Sequence, residues 1–511
     1  MVIKSNSKSD AGRRSAEFFK WHKENYYSLT FDDVSLKTGY SQVSPKDVEL
    51  NTKITKNVTA KMPILSSAMD TVTEYELAIA IAKEGGMGFI HKNMPVETQA
   101  WQISKVKNHL NGVTGLIKKP ICMQEDKTLQ ELDDYRKEKG FGFSSFLVVD
   151  NEKKLKGIIT NKHFLFSDYD KKLSEVMEKN LITAPIDTGK EEALEIIRKN
   201  RKKVLPLVDS DGVVRGMYAY KDLQAIENKE TVHYNMDEQG NLRVGASISD
   251  NLGEENLERI KELVKRGPDV ILVDSAHGDT SNMLKMIEYM NNNYPGIELM
   301  VGNISEPESA KRLLEAGKID GIKVGQGPGS ICSTRKVAGI GCPQLSAVFE
   351  ITELAREYGV PVCADGGIKY SGDIVKAIGA GAHCVMLGNL LAGTKESPGK
   401  QVWIDSKLCK TYRGMGSVAA MKESKASRER YRQEEAKEPV PEGVESAVPY
   451  KGTVAQQVHM LLGGVRNGFG YVGARDVETL IENADFRRVT LSGANESMPH
   501  SVQITTRPPN L

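Results

Sequence analysis

The stretch Gly325-Gln326-Gly327-Pro328-Gly329-Ser330-Ile331-Cys332-Ser333-Thr334 holds the densest set of residues able to do chemistry. Its closely spaced glycines permit unusual backbone angles and close approach to a ligand. Ser330 offers a hydroxyl to a phosphate, and Cys332 stands where a nucleophile at the end of a strand would stand. A lone cysteine is usually a small buried hydrophobe, and a Gly-rich loop after an apolar run reverses that expectation for Cys332. The other cysteines (Cys122, Cys342, Cys363, Cys384 and Cys409) keep it.

Two further loops, Asp365-Gly366-Gly367 and Gly388-Asn389, each follow an apolar run. Either alone is an ordinary tight turn. Together, at consecutive strand ends, they favour a phosphate held by backbone N–H groups, with Asp365 placed to accept from ribose hydroxyls. Tyr412-Arg413-Gly414-Met415-Gly416-Ser417 is another place where backbone could approach a ligand. His277 reads as a polar loop residue rather than an acid/base. No GxGxxG follows a first strand and no Walker-type loop occurs, so a Rossmann or P-loop nucleotide site is not supported.

These loops need a scaffold. Eight short apolar runs end in polar or Gly clusters: Pro63–Leu65, Gly86–Ile90, Leu242–Val244, Val270–Val273, Glu298–Val301, Gly321–Val324, Pro361–Ala364 and His383–Leu387. Amphipathic segments lie between most of them, among them Glu254–Arg266, Ser281–Asn293, Pro307–Ala316, Gln344–Tyr358 and Gly372–Gly379. Unbroken apolar runs alternating with helices imply buried parallel strands. Eight such units make an α/β protein of the (β/α)8 TIM-barrel class, whose active sites sit at the C-terminal strand ends. An open doubly wound sheet is the alternative.

The spacing breaks once. Residues 112–234 contain two similar pieces, Phe146–Val149, Asp150 and Leu155–Thr160, then Val204–Val208, Asp209 and Gly212–Tyr218, each followed by a short helical segment. A repeat of roughly 60 residues reads as a separate inserted domain, leaving 1–111 and 235–511 as two parts of one catalytic barrel. Residues 422–449 are charge-rich and poor in apolar side chains, either a solvated loop or a mobile flap at the barrel mouth.

Composition bounds the rest. The chain has 511 residues, 39% hydrophobic and 27% charged, enough for two or three globular domains. A formal net charge of +1 gives no support for nucleic-acid binding through a broad positive field. No stretch approaches the roughly 20 apolar residues of a membrane span, and the polar N-terminus has no secretory core. The cysteines lack metal-ligand spacing, and reduced thiols in a cytoplasmic setting are expected.

The motifs SSAMDTVTE (66–74), GFIHKN (88–93), GQGPGSICST (325–334), DGGI (365–368), YRGMGS (412–417) and VPEGV (440–444) resemble those of the IMP dehydrogenase and GMP reductase family. The likeness runs from about Thr30 to the C-terminus, and the inserted repeat resembles a pair of CBS (Bateman) domains. The resemblance implies oxidation of IMP to XMP with NAD+ and water, the committed step of guanine nucleotide synthesis. Cys332 would attack C2 of the purine and form a thioimidate, with Thr334, Arg430, Tyr431 and Glu442 serving its hydrolysis. An Arg general base is awkward because guanidinium is normally always protonated, so Arg430 and a Thr334–Glu442 relay stand as two routes.

By the same resemblance, Ser67, Met69, Ser330, Asp365, Gly367, Gly388, Asn389, Tyr412, Gly414, Met415, Gly416 and Glu442 would bind IMP. Asp274, Ser275, Ala276, Asn303, Gly325, Gly327, Thr334 and Tyr471 would bind NAD, with Tyr471 reaching in from an adjacent subunit. The carbonyls of Gly327, Gly329 and Cys332 would hold K+, completed by Glu496, Ser497 and Met498 of a neighbour. That implies a homotetramer or octamer, with adenine or guanine nucleotides bound to the CBS pair. Asn389, where Ser is common, and Met498-Pro499 depart from the family pattern. Within the family, GMP reductase activity is the alternative. The Arg430-Tyr431 dyad in a long flap favours the dehydrogenase, and the CBS pair leans the same way.

Overall fold

The structure, a computed structural model, describes residues 9–109, 115–117, 120–138, 145–228 and 230–505. Eight parallel strands close into a barrel: β1 (Ile64–Ser66), β2 (Met87–Ile90), β3 (Val244–Ile248), β4 (Val270–Asp274), β5 (Glu298–Ile304), β6 (Gly321–Val324), β7 (Val362–Asp365) and β8 (Cys384–Leu387). Each pairs in parallel with the next, and β8 pairs with β1 through Met386 and Leu65. The helices Glu254–Arg266, Ser281–Asn293, Pro307–Ala316, Gln344–Glu357 and Ser371–Gly379 fall where the amphipathic pattern places them. The barrel class expected from the alternation is therefore the one observed, and the doubly wound sheet is not.

Inside, Leu65, Met87, Phe89, Val270, Leu272, Met300, Cys363, Cys384 and Met386 form one buried cluster. Ile54, Val58 and Ala60, from a short hairpin that precedes β1, belong to the same cluster. The barrel is thus a packed core, and its chemistry must sit at a mouth.

One strand differs from its expected span. Gly245 was expected to end a strand at Val244, but β3 starts there and runs on to Ile248. A Cβ on Gly245 would lie 2.3 Å from the Phe89 ring. The glycine is a strand-interior residue that makes room for an aromatic neighbour rather than a turn signal.

The chain divides into two compact units, residues 1–103 with 243–511, and residues 104–242. The boundary expected at 111/112 lies outside the described residues. The second unit carries the repeat in its hydrogen bonds. Asp150 accepts from the N–H groups of Glu152 and Lys154 at 3.0 and 2.9 Å. Asp209 accepts from those of Asp211 and Val213 at 3.1 and 2.9 Å. Its two sheets each have a core of their own, around Phe146 and Ile159 in one and Leu205 and Tyr218 in the other.

His383 enters β8 with its ring nitrogen accepting from the Val362 N–H at 3.3 Å. Burial lowers its pKa to about 4, helped by Arg356 and Lys53. Below the unfolded value of about 6.5, the unfolded chain takes up a proton that the folded chain refuses. Stability is therefore lost as pH falls from about 6.5 to about 4, by at most about 3 kcal/mol. His383→Gln is expected to flatten that part of a plot of urea midpoint against pH.

Candidate functional site

A cavity of about 910 Å³ opens where the C-terminal ends of the barrel strands meet. Three stretches distant in sequence build its wall through backbone hydrogen bonds. The Ser333 N–H donates to the Glu442 carbonyl at 2.9 Å, and the Val444 N–H to that of Ile331 at 3.0 Å. The Gly414 N–H donates to Val444, and the Glu442 N–H to Gly416, each at 3.0 Å. The cysteine loop, the YRGMGS loop and the VPEGV segment are thus one continuous structure.

Cys332 is partly exposed to this cavity, with its sulfur 3.2 Å from the Thr334 hydroxyl oxygen. Ser67, Met69, Ser330, Asp365, Gly367, Gly388, Asn389, Tyr412, Met415 and Glu442 also line it. Gly366 and Gly367 have φ of +89° and +81°, the left-handed conformation that glycine tolerates. The Tyr412 phenol is buried against Ser330, and burial pushes its pKa up to about 12.

The opposite wall is electrostatic. Lys323, inside β6, places its Nζ 2.7 Å from an Asp365 oxygen and 2.9 Å from an Asp274 oxygen, and it also bonds Asn303. Asn303 donates to Asp365 at 2.9 Å and to the Gly325 carbonyl at 2.7 Å. Arg430 of the flap pairs with the other Asp274 oxygen. Burial works against the Asp274 charge, yet Arg430, Lys323 and Lys92 hold its carboxyl below the usual carboxylate range. Burial likewise opposes the Arg430 charge, but Asp274 outweighs it and raises the pKa above that of an ordinary arginine.

The flap is not structureless. Its first part forms the helices Val418–Glu423 and Lys425–Arg430, and Glu445–Pro449 pairs with Lys407–Arg413 as a strand. Besides Arg430, the Ser427 hydroxyl bonds Asn93 at 3.1 Å, and Glu429 accepts from Ser249 at 2.8 Å. Tyr431 lies against Gly416, where a Cβ would come within 2.6 Å of its ring. Burial pushes the Tyr431 phenol up to about 12.

Of the other expected residues, Asp274, Ala276, Asn303, Gly325, Gly327, Gly329, Thr334, Arg430 and Tyr431 line the cavity as well. Gly414 and Gly416 do not, and act through the backbone bonds above. Ser275 is turned away, its hydroxyl bonded to the His277 carbonyl at 3.2 Å. Tyr471 is exposed on the helix Val454–Val472, and Glu496, Ser497 and Met498 are exposed near the C-terminus. None of these four lines the cavity of this chain. Lys323 and Lys92 escaped the sequence reading. Lys323 sits in a run that reads as buried strand, and its one signal is a cation inside such a run.

Gly loops, a cysteine after a strand and a flap carrying Arg and Tyr meet at the mouth of a (β/α)8 barrel. Residues 28–500 match the IMP dehydrogenase / GMP reductase domain. The inosine-5'-monophosphate dehydrogenase of Aquifex aeolicus (strain VF5) is 49% identical, over 94% of this chain and 97% of that protein. The enzyme of the same name from Bacillus subtilis (strain 168) is 45% identical, over 96% and 98%. Among solved structures, the GMP reductase of Trypanosoma brucei in complex with guanosine 5'-monophosphate matches with a TM-score of 0.82 and 36% identity, over 93% of this chain and 98% of that one. The chain belongs to the IMP dehydrogenase / GMP reductase family.

Asp274 is the anchor of the flap in this geometry. Removing one partner of a buried ion pair costs about 3–5 kcal/mol. In Asp274→Asn, the segment around Arg430 is expected to detach, and limited trypsin digestion within residues 422–437 should quicken at least about tenfold. An unchanged cleavage rate would show that the flap is held elsewhere.

Proposed function

We propose that this chain oxidises IMP to XMP with NAD+ and water. The observation that carries the reading is the convergence of Cys332, Thr334, Arg430, Tyr431 and Glu442 on one cavity. Cys332 Sγ would give up its proton and attack C2 of the hypoxanthine ring, the hydride of C2 would pass to NAD+ held beside it, and the carbon would stay on sulfur as a thioimidate. Water then adds to that carbon and releases XMP and the thiol. Dividing the reaction this way is the usual gain of covalent catalysis.

The chain's own groups account for binding and proton movement. Ser330, Gly367, Gly388, Asn389 and Tyr412 hold the phosphate. Asp365 accepts from the ribose, and Ser67, Met69, Met415 and Glu442 surround the base, on a wall that Gly414 and Gly416 hold through their backbone bonds. Asp274, Ala276, Asn303, Gly325, Gly327 and Thr334 serve NAD+, whereas Ser275, turned away toward the His277 carbonyl, takes no part. The cavity volume suits two such ligands, and the Asp274 carboxylate that Arg430 occupies is a fitting acceptor for ribose hydroxyls. While paired to Asp274, Arg430 is held protonated. Thr334, beside the sulfur, is then the group placed to take the proton of the attacking water, with Glu442 as its acceptor.

K+ fits this chain in part. Hard cations take oxygen ligands, and the carbonyls of Gly327, Gly329 and Cys332 lie on one loop. The Gly329 carbonyl already accepts the Cys332 N–H at 3.0 Å. Glu496, Ser497 and Met498, exposed elsewhere, would complete such a site in a neighbouring chain. This supports a homo-oligomer, a tetramer or octamer, in which Tyr471 likewise reaches an adjacent NAD site. Residues 112–234 act as a CBS pair for adenine or guanine nucleotides. No described helix is long and apolar enough to cross a membrane, which agrees with a cytoplasmic enzyme.

GMP reduction with NADPH is the second reading, favoured by the Trypanosoma brucei structure. Absorbance at 340 nm separates the two. A rise with IMP, NAD+ and K+, abolished in Cys332→Ala, is expected. A fall with GMP and NADPH and no response to IMP would overturn the proposal. Arg430→Ala should keep a first-turnover burst of NADH near one per site and then turn over about 100-fold more slowly. Loss of the burst itself would place Arg430 in the hydride step.

A further inference from the structure

Five basic side chains line the cavity among the described residues: Lys323, Lys369, Arg430, Arg432 and Lys451. Four have carboxylate partners. Lys323 is paired with Asp274 and Asp365, Arg430 with Asp274, Lys369 with Asp32, and Arg432 with Asp250. Among the described residues Lys451 alone of the five has no carboxylate partner, and burial is the one influence on its ammonium. It is half-buried, and burial, with no carboxylate to oppose it, lowers its pKa. A cation withdrawn from water without a counter-charge is costly, and that cost is recovered only if the cavity supplies an anion.

The position of Lys451 says which end of the cavity that anion occupies. Its N–H donates to the Gly393 carbonyl at 2.8 Å, and the Lys395 N–H donates to the next residue, Gly452, at 2.7 Å. Gly393 ends the single helical turn that begins at Gly388-Asn389. A Cβ at Gly393 would lie 3.2 Å from the Lys451 Cγ, so the glycine leaves a channel for the lysine stem. Lys451 is thereby fastened to the loop after β8. The other groups at that end, Ser330, Gly366, Gly367, Gly388, Asn389 and Tyr412, offer only neutral donors.

We propose that Lys451 is the cationic ligand of the substrate's 5′-phosphate. This rests on a nucleoside monophosphate being the substrate. A phosphate carries about −1.5 to −2 charges near neutral pH, and a charge-assisted hydrogen bond is roughly twice as strong as a neutral one. Lys451 supplies what the glycine loops lack, a full positive charge. It also explains why, among the described residues, the unpaired Lys or Arg of the cavity wall lies at that end and not beside the base.

The test is titration of IMP into the full-length protein without NAD+, where binding occurs and turnover cannot. Lys451→Gln should weaken IMP binding about tenfold, and Lys451→Arg should stay within about threefold of the parent. In steady state the Gln loss should fall on KM for IMP rather than on kcat. If Lys451→Gln binds IMP as tightly as the parent, the proposal is wrong. If Lys451→Arg is as weak as Lys451→Gln, the stem matters and the charge does not, which also overturns it. Should the parent bind IMP without oxidising it while Lys451→Gln binds it more weakly, the activity assigned above fails and the role of Lys451 stands.

Discussion

The mouth of the barrel depends on one buried ion network. Asp274 and Asp365, at the ends of β4 and β7, share the ammonium of Lys323 between them. Lys92 closes the network from the loop after β2, donating to the main-chain carbonyls of Asp274 at 2.8 Å and Ile248 at 3.3 Å. Desolvation of such charges is repaid only by close pairing and full hydrogen bonding. Burial holds Lys92 at about 8, although Asp274 pulls the other way. The barrel's own two lysines and two aspartates balance, so the network can persist whether or not the flap is docked.

Two adjacent residues of the flap bring opposite charges into that low-dielectric setting. Arg430 and Glu429 arrive as neighbours, Arg430 onto Asp274 and Glu429 onto the Ser249 hydroxyl. A lone arginine would leave the site with an excess positive charge that buried surroundings penalise. Delivered beside a carboxylate, it docks without that penalty. Docked on Asp274, Arg430 is a fixed cation.

The barrel was legible because buried parallel strands must be apolar along their whole length, and the eight runs announce themselves. The loops were legible for the complementary reason: residues with phosphate or thiol chemistry interrupt those runs at one consistent end. What escaped is what breaks the rule from inside. Lys323 lies between Ile322 and Val324 and is 2% exposed, so its run reads as core. Gly245 reads as a stop and is a gap filled by Phe89. Lys451, after an ordinary strand, has no local mark, because its significance is the absence of a partner, and that is a property of space. The order within residues 422–449 was hidden for a similar reason: its helices are held by Asn93, Ser249 and Asp274, all remote in sequence.

The dehydrogenase and reductase readings place different demands on this scaffold. The Trypanosoma brucei GMP reductase matches 93% of this chain, so neither overall length nor the inserted unit separates the two activities. The inserted unit therefore does not help to tell the two activities apart. Both reactions need a phosphate cradle, a thiol on the purine carbon and a nicotinamide site. Only the oxidation must activate water after hydride has left. The residues that bear on the distinction are thus those that enter the cavity from the flap, Arg430 and Tyr431, together with the Thr334 hydroxyl beside the sulfur. In this structure all three surround the same space as Cys332, with Tyr431 seated against Gly416 and Arg430 fixed by Asp274. A reaction without hydrolysis would have no use for burying two such groups there, and the ion network that receives them is what gives the flap a place to dock.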